Sequence, residues 1–314
     1  MLEKTDPSKP MAFQILLLTF IMLLFAPGEA FAWGIGFHLH IGSQILADID
    51  QIAPRLAPLL QTFPNDYLYG CISADITLGK KFTHYLRHCH SWRVAKQLIA
   101  AADNEPRKAC AYGYLSHLAM DTIAHAYYVP YKMIRTFNSM TLKHAYWEMR
   151  LEADIRPEIW ELARSIARRD FSDNDTMLRG IIADTIFSFG TNKRLFNSLL
   201  LLNRLQQWQK MLRSINNNSK WIITPEDREE YFSLARQVTT SVLAEMEQSR
   251  YWRADPAGER ALQAAGTIRK NLNLLWLDGK LPEKEAERIV SDLKPRFREA
   301  ITAPDQLLEL LSII

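Results

Sequence analysis

The sequence is short of cysteine, of net charge, and of any apolar run long enough to cross a bilayer. Its three cysteines, Cys71, Cys89 and Cys110, permit at most one disulfide within a monomer. That excludes a disulfide-stapled scaffold and leaves them to act as small buried hydrophobes. No cysteine precedes Cys71, which excludes lipoprotein processing. A formal net charge of +3 over 314 residues supplies no argument for binding nucleic acid or an anionic membrane by charge alone. Alternating apolar and polar residues never run long enough to predict a strand, and no Ser or Cys nucleophile elbow is evident. Histidine, too, is missing from much of the chain: all eight lie between His38 and His144.

The first thirty-odd residues have the form of an export signal. Lys4 and Lys9 lie in a polar start, Ala12 to Ala26 is almost wholly apolar, and Pro27-Gly28 breaks it. Ala30 and Ala32 then supply the small residues of a cleavage site. The apolar stretch is short of the roughly 20 residues a membrane span needs. Cleavage after Ala32 makes Trp33 the first residue of an exported, periplasmic or secreted protein; an uncleaved anchor is the alternative.

Elsewhere the periodicity is helical. Short helices are predicted over Ile41 to Ile49 and Pro54 to Leu60, and longer ones over Trp92 to Ala102 and Lys108 to Tyr128, the latter stopped by Pro130. Further helices are predicted over Thr141 to Ile155, from Pro157 onward, and over Lys193 to Ile215, Pro225 to Ser249, Gly258 to Leu277 and Pro282 to Ala300. The fold class is all-α: one large multi-helix domain with a metal site between helices of its N-terminal half, and a helical C-terminal extension. In residues this reads as a leader over 1–32, a zinc-binding catalytic region over 33–170 and a supporting helical region over 171–314.

Within YLSHLAMDTIAHAYYVP, His117, Asp121 and His125 stand at i, i+4 and i+8, so one helix face presents imidazole, carboxylate and imidazole. Leu115, Leu118 and Ile123 clothe the other sides, and polar side chains on a buried helix are costly unless something satisfies them. A metal does so, and Asp121 could bridge two ions. His144 and Glu148 form a second i, i+4 pair, with Glu152 a turn further. Imidazole and carboxylate together suit Zn²⁺; a ferritin-like di-iron site would need paired Glu-x-x-His units, and there are none. His38, His40, Asp75, His84, His88 and His90 are looser candidates, and the residues alone do not choose among them.

The ordered set is an N-terminal Trp, an early His, an isolated Asp, a His, then His-x3-Asp with a later His, and finally His-x3-Glu. Spanning Trp33 to about Glu152, it resembles the bacterial zinc-dependent phospholipase C family, whose arrangement tri-zinc single-strand nucleases share. The resemblance implies that Trp33 binds zinc through its free amine and carbonyl oxygen, together with His38 and Asp121. It implies a second zinc on Asp75, His90, His117 and Asp121, and a third on His125, His144 and Glu148. Asp75 would be a ligand or a general base. The spacing of three residues between Asp121 and His125 is shorter than in secreted phospholipases of the family.

The function so implied is an exported hydrolase of phosphodiesters, most simply phospholipids at a membrane surface, using up to three zinc ions to activate water. A single-strand nuclease would instead need a cationic groove with aromatic platforms, for which Tyr127, Tyr128, Tyr131, Lys132 and Arg135 are candidates. A non-catalytic zinc-binding helical protein is the third reading.

Overall fold

The computed structural model describes residues 34–77, 89–139, 144–182, 188–202 and 221–310, and among them the chain is all-α with no strand. The leader and Trp33 lie outside the described residues, as do His84 and His88. Among the described residues no helix is long and apolar enough to cross a membrane.

Helix α1 spans Ile35–Ala47 and α2 spans Pro64–Ser73. After them come α3, Trp92–Ala101, and α4, Glu105–Ile123. Local chemistry starts most of these helices. Ser91 Oγ accepts from Val94 N at the head of α3, and Asn104 Oδ1 accepts from Arg107 N at the head of α4. Pro64 opens α2, where the missing N–H costs nothing. Helix α2 is absent from the periodicity reading because it is buried on nearly every side and so shows no apolar stripe.

Helix α1 begins at Ile35, six residues before the predicted start, and its cap is not local. Gly34 offers no side chain; instead Glu152 reaches back from more than a hundred residues away. Its Oε1 accepts from Phe37 N at 2.8 Å and its Oε2 from Gly36 N at 3.2 Å. No sequence window contains that pair, so the early start was invisible there.

Helix α4 is the central element, buried on nearly every side from Ala109 to Ile123. It packs against α2 so closely that a Cβ on Gly113 would lie 1.9 Å from Tyr67 O, and one on Gly70 would lie 2.0 Å from Cys110 O. Pro130 does not stop this helix. A π turn over Ala124–Tyr128 leads directly into α5, Val129–Arg135. The widened turn accommodates the residue that has no N–H to give, as such bulges do.

Then come α6 (His144–Glu152), α7 (Pro157–Ala167), α8 (Ser172–Ile181) and α9 (Phe189–Leu202). The end of the predicted Lys193 to Ile215 helix lies outside the described residues. Finally α10 (Pro225–Glu245), α11 (Glu259–Leu277) and α12 (Glu283–Ala300) lie against the N-terminal elements. Helix α10 contacts α4 and α1, while α11 and α12 contact α5 and the π turn. One tie is ionic: fully buried Lys132 on α5 meets Asp227 on α10 at 2.5 Å, and Lys294 on α12 meets the same carboxylate at 2.8 Å.

Candidate metal centre

Four elements meet around Asp121. Helix α4 supplies His117 and Asp121, α1 supplies His38, the 3-10 turn Ala74–Ile76 supplies Asp75, and the bend before α3 supplies His90. Asp121 Oδ1 is 3.3 Å from His38 Nε2, while its Oδ2 is 2.9 Å from His90 Nε2 and 3.2 Å from His117 Nε2. Asp75 Oδ1 stands 3.5 Å from His90 Nε2 and 3.9 Å from His117 Nε2. The His38 and His117 rings stack at 3.9 Å.

The histidine tautomers follow from their outer partners. His117 Nδ1 lies 2.8 Å from Cys71 O, and His125 Nδ1 lies 2.7 Å from Pro256 O. A carbonyl only accepts, so each Nδ1 carries a proton, and each ring, when neutral, turns a lone pair on Nε2 inward. His117 Nε2 therefore aims that lone pair at a carboxylate oxygen and at His90 Nε2, 3.2 Å away. A lone pair facing a carboxylate oxygen in a buried site calls for a cation or a proton between them.

Orphaned atoms point the same way. Both ring nitrogens of His38, both oxygens of Asp121 and Oε2 of Glu148 are buried with no hydrogen bond of good geometry. Buried polar atoms in that state call for an ion or another ligand. Around a tetrahedral zinc, ligand atoms at about 2.0–2.1 Å from the metal sit about 3.3 Å apart. The separations around Asp121 bracket that value, and three donor groups each fall within 4.8 Å: His38, Asp75 and His117; His90, His117 and Asp121; His125, His144 and Glu148. The donor set fits zinc.

The third group lies one helix away. His144 Nε2 is 2.6 Å and His125 Nε2 is 3.6 Å from Glu148 Oε1. His125 belongs to the π turn, not to the regular helix, and Asp121 Oδ2 is 3.9 Å from its outward Nδ1. So the i, i+4, i+8 face is not one straight row: His117 and Asp121 address one group and His125 another.

Burial sets the electrostatics of the metal-free centre. Burial pushes Glu148 up to about 8, against an opposing hydrogen bond from His125. Burial likewise raises Glu152 to about 7, partly offset by the N–H groups of Phe37 and Gly36. Burial and the neighbouring His117 depress His38 to about 4. For Asp121 burial acts upward, but His117 and His125 outweigh it and hold the carboxyl well below the usual range.

Two sets of candidates are not brought to this centre. His40 lies on another side of α1, beside Gln44 and Phe232 at a separate cavity. Tyr127, Tyr128, Tyr131 and Lys132 are buried, Tyr127 bonding Glu230 and Tyr128 bonding Trp147 O. They form an internal packing layer, so they provide neither a stacking platform for nucleic acid nor the wall of a lipid pocket. Cys71, Cys89 and Cys110 are buried thiols.

Three supporting groups escape a sequence reading. Glu152, visible there only as one more acid on the α6 face, holds α1. Cys89 Sγ lies 3.2 Å from His90 Nδ1, on the side of the ring away from Asp121. Pro256 is more than a hundred residues from the histidine it braces.

Residues 37–189 match the family model described as zinc dependent phospholipase C. No curated protein and no solved structure gives a significant match.

Proposed function

Because residues 37–189 match the zinc-dependent phospholipase C family, we propose that the chain is a hydrolase of that family and that the cluster around Asp121 and Glu148 is its catalytic tri-zinc centre. In this reading Trp33, His38 and Asp121 hold one ion. Asp75, His90, His117 and Asp121 hold a second, and His125, His144 and Glu148 the third. Zinc supplies Lewis acidity there, activating water near neutral pH and offsetting charge that grows on a phosphoryl oxygen.

The protein's own groups do the rest. Asp121 spans two donor groups with its two oxygens. The carbonyls of Cys71 and Pro256 lock His117 and His125 with their lone pairs inward. Asp75, the one partly exposed carboxylate of the first cluster, is either the ligand named above or the base that orients water and takes its proton. The observation that carries this reading is the convergence of buried His38, His90 and His117 on Asp121, whose two oxygens, like both His38 nitrogens, lack a hydrogen bond of good geometry.

The substrate is a phospholipid, reached by export of the chain and cleavage that frees the Trp33 amine. The burial of the tyrosines and Lys132 removes the specific support for a nuclease. The test is side-by-side hydrolysis of phosphatidylcholine, a generic phosphodiester and single-stranded DNA, with chelated and zinc-restored protein. Phosphatidylcholine should turn over only with zinc, and Asp121→Asn should lower the rate at least about 100-fold. Full activity without metal would overturn the centre; preference for DNA would overturn the substrate.

A further inference from the structure

We infer that the turn at 254–258, in the C-terminal region and outside the family match, is a positioning element of the metal centre. It rests on the proposed centre and adds a part to it. Pro256 O accepts from His125 Nδ1 at 2.7 Å, which fixes the tautomer and the ring plane. Two residues before, Ala254 O accepts from Trp92 Nε1 at 2.8 Å, and Trp92 stacks on Trp252 with centroids 4.7 Å apart. Trp92 follows His90 by two residues, so one short turn braces the chain segments carrying both His90 and His125.

The turn is itself rigid. Asp255 Oδ1 accepts from Ala257 N and Oδ2 from Glu259 N, each at 3.0 Å, and Gly258 N donates to Asp255 O at 2.9 Å. Gly258 has φ +63, and a Cβ there would stand 2.4 Å from both His125 Cβ and His125 O. Only glycine lets the turn approach the histidine so closely. The C-terminal region is thereby a working part of the centre: remote carbonyls of this kind hold ligand histidines in place, and disturbing them costs about 10–100-fold in metal affinity.

Gly279 supplies the control, since it shares the left-handed backbone at φ +67 but has nothing within 4 Å of its would-be Cβ. Zinc-loaded full-length protein carrying Gly258→Ala or Gly279→Ala is titrated with a competing chelator, and its melting temperature is recorded. Both should lose thermal stability through backbone strain. Only Gly258→Ala should release zinc about 10–100-fold more readily. Trp92→Phe, which keeps the ring on Trp252 but deletes the bond to Ala254, should weaken zinc retention in the same direction and serves if Gly258→Ala does not fold. Unchanged retention in every folded variant at positions 258 and 92 would overturn the inference. His144→Ala separates the two levels: if it loses an ion while those variants do not, the centre stands and the brace falls. If it loses none, the centre itself falls.

Discussion

At the scale of the residue, the centre depends on side chains held in states that water would not favour. Glu148 and Glu152 are pushed up to about 8 and about 7 by burial, and His38 down to about 4. Between pH 6.5 and 8 an unfolded chain holds both glutamates ionised, while the metal-free fold keeps them partly protonated. The fold therefore binds more protons in that window, and its stability falls as pH rises. His38 acts in the opposite sense, but most of its contribution is in place by about pH 6.5, its unfolded value. Lys132, lowered to about 8, adds stability only at higher pH still. Metal-free protein should thus melt at a lower temperature at pH 8 than at pH 6.5. Zinc affinity should rise over the same interval, because Glu148, a proposed ligand, would have to lose its proton to bind metal. Thermal melts of chelated protein and zinc competition at the two pH values check both halves.

The elements place those residues, and two junctions between them matter most. Gly70 and Gly113 let α2 run against α4, carrying Asp75 beyond its end to His90 and His117. Gly70→Ala would press a methyl group into the Cys110 carbonyl, which as backbone cannot rotate away. The expected cost is about 1–3 kcal/mol, seen in denaturant unfolding, together with weaker zinc binding because Asp75 is displaced. A Gly70→Ala protein with unaltered stability would mean the helices are not packed this tightly. The second junction is the Glu152 cap on α1. One face of α6 thus does two tasks, with His144 and Glu148 in the third donor group and Glu152 setting the helix that bears His38.

Over the whole molecule, the C-terminal helices pack against the elements that carry the donor groups. Lys132 is fully buried on α5, and its charge is matched by Asp227 on α10. Removing one partner of such a pair leaves an uncompensated charge. Asp227→Ala should therefore cost about 3–5 kcal/mol at neutral pH. The loss should be smaller above pH 8, where Lys132 sheds its proton. Denaturant unfolding at pH 7 and pH 9 reads this directly; a pH-independent loss would show that Lys132 is not the group left stranded.

Several features were legible in one dimension. Helices such as Trp92–Ala101 and Pro225–Glu245 announce themselves through caps and 3.6-residue periods, because those signals are local. The His-x3-Asp and His-x3-Glu pairs were readable for the same reason: on a helix, spacing is geometry. By itself the sequence determined an all-α chain with zinc-ready residues confined to its first half.

What lay beyond it were contacts between residues far apart in the chain. Only tertiary structure brings His38 and His90 to Asp121 and turns His40 elsewhere. It carries α4 past Pro130 through a π turn, and it buries Tyr127 and Lys132, which a nuclease groove would need at the surface. It also decides that α1 begins at Ile35, because the cap is Glu152, and that His125 keeps its lone pair inward, because the acceptor is Pro256. Donor spacing within one helix is set by the backbone repeat. Which lone pairs face one another across a buried space is set by packing, and no period in the sequence records it.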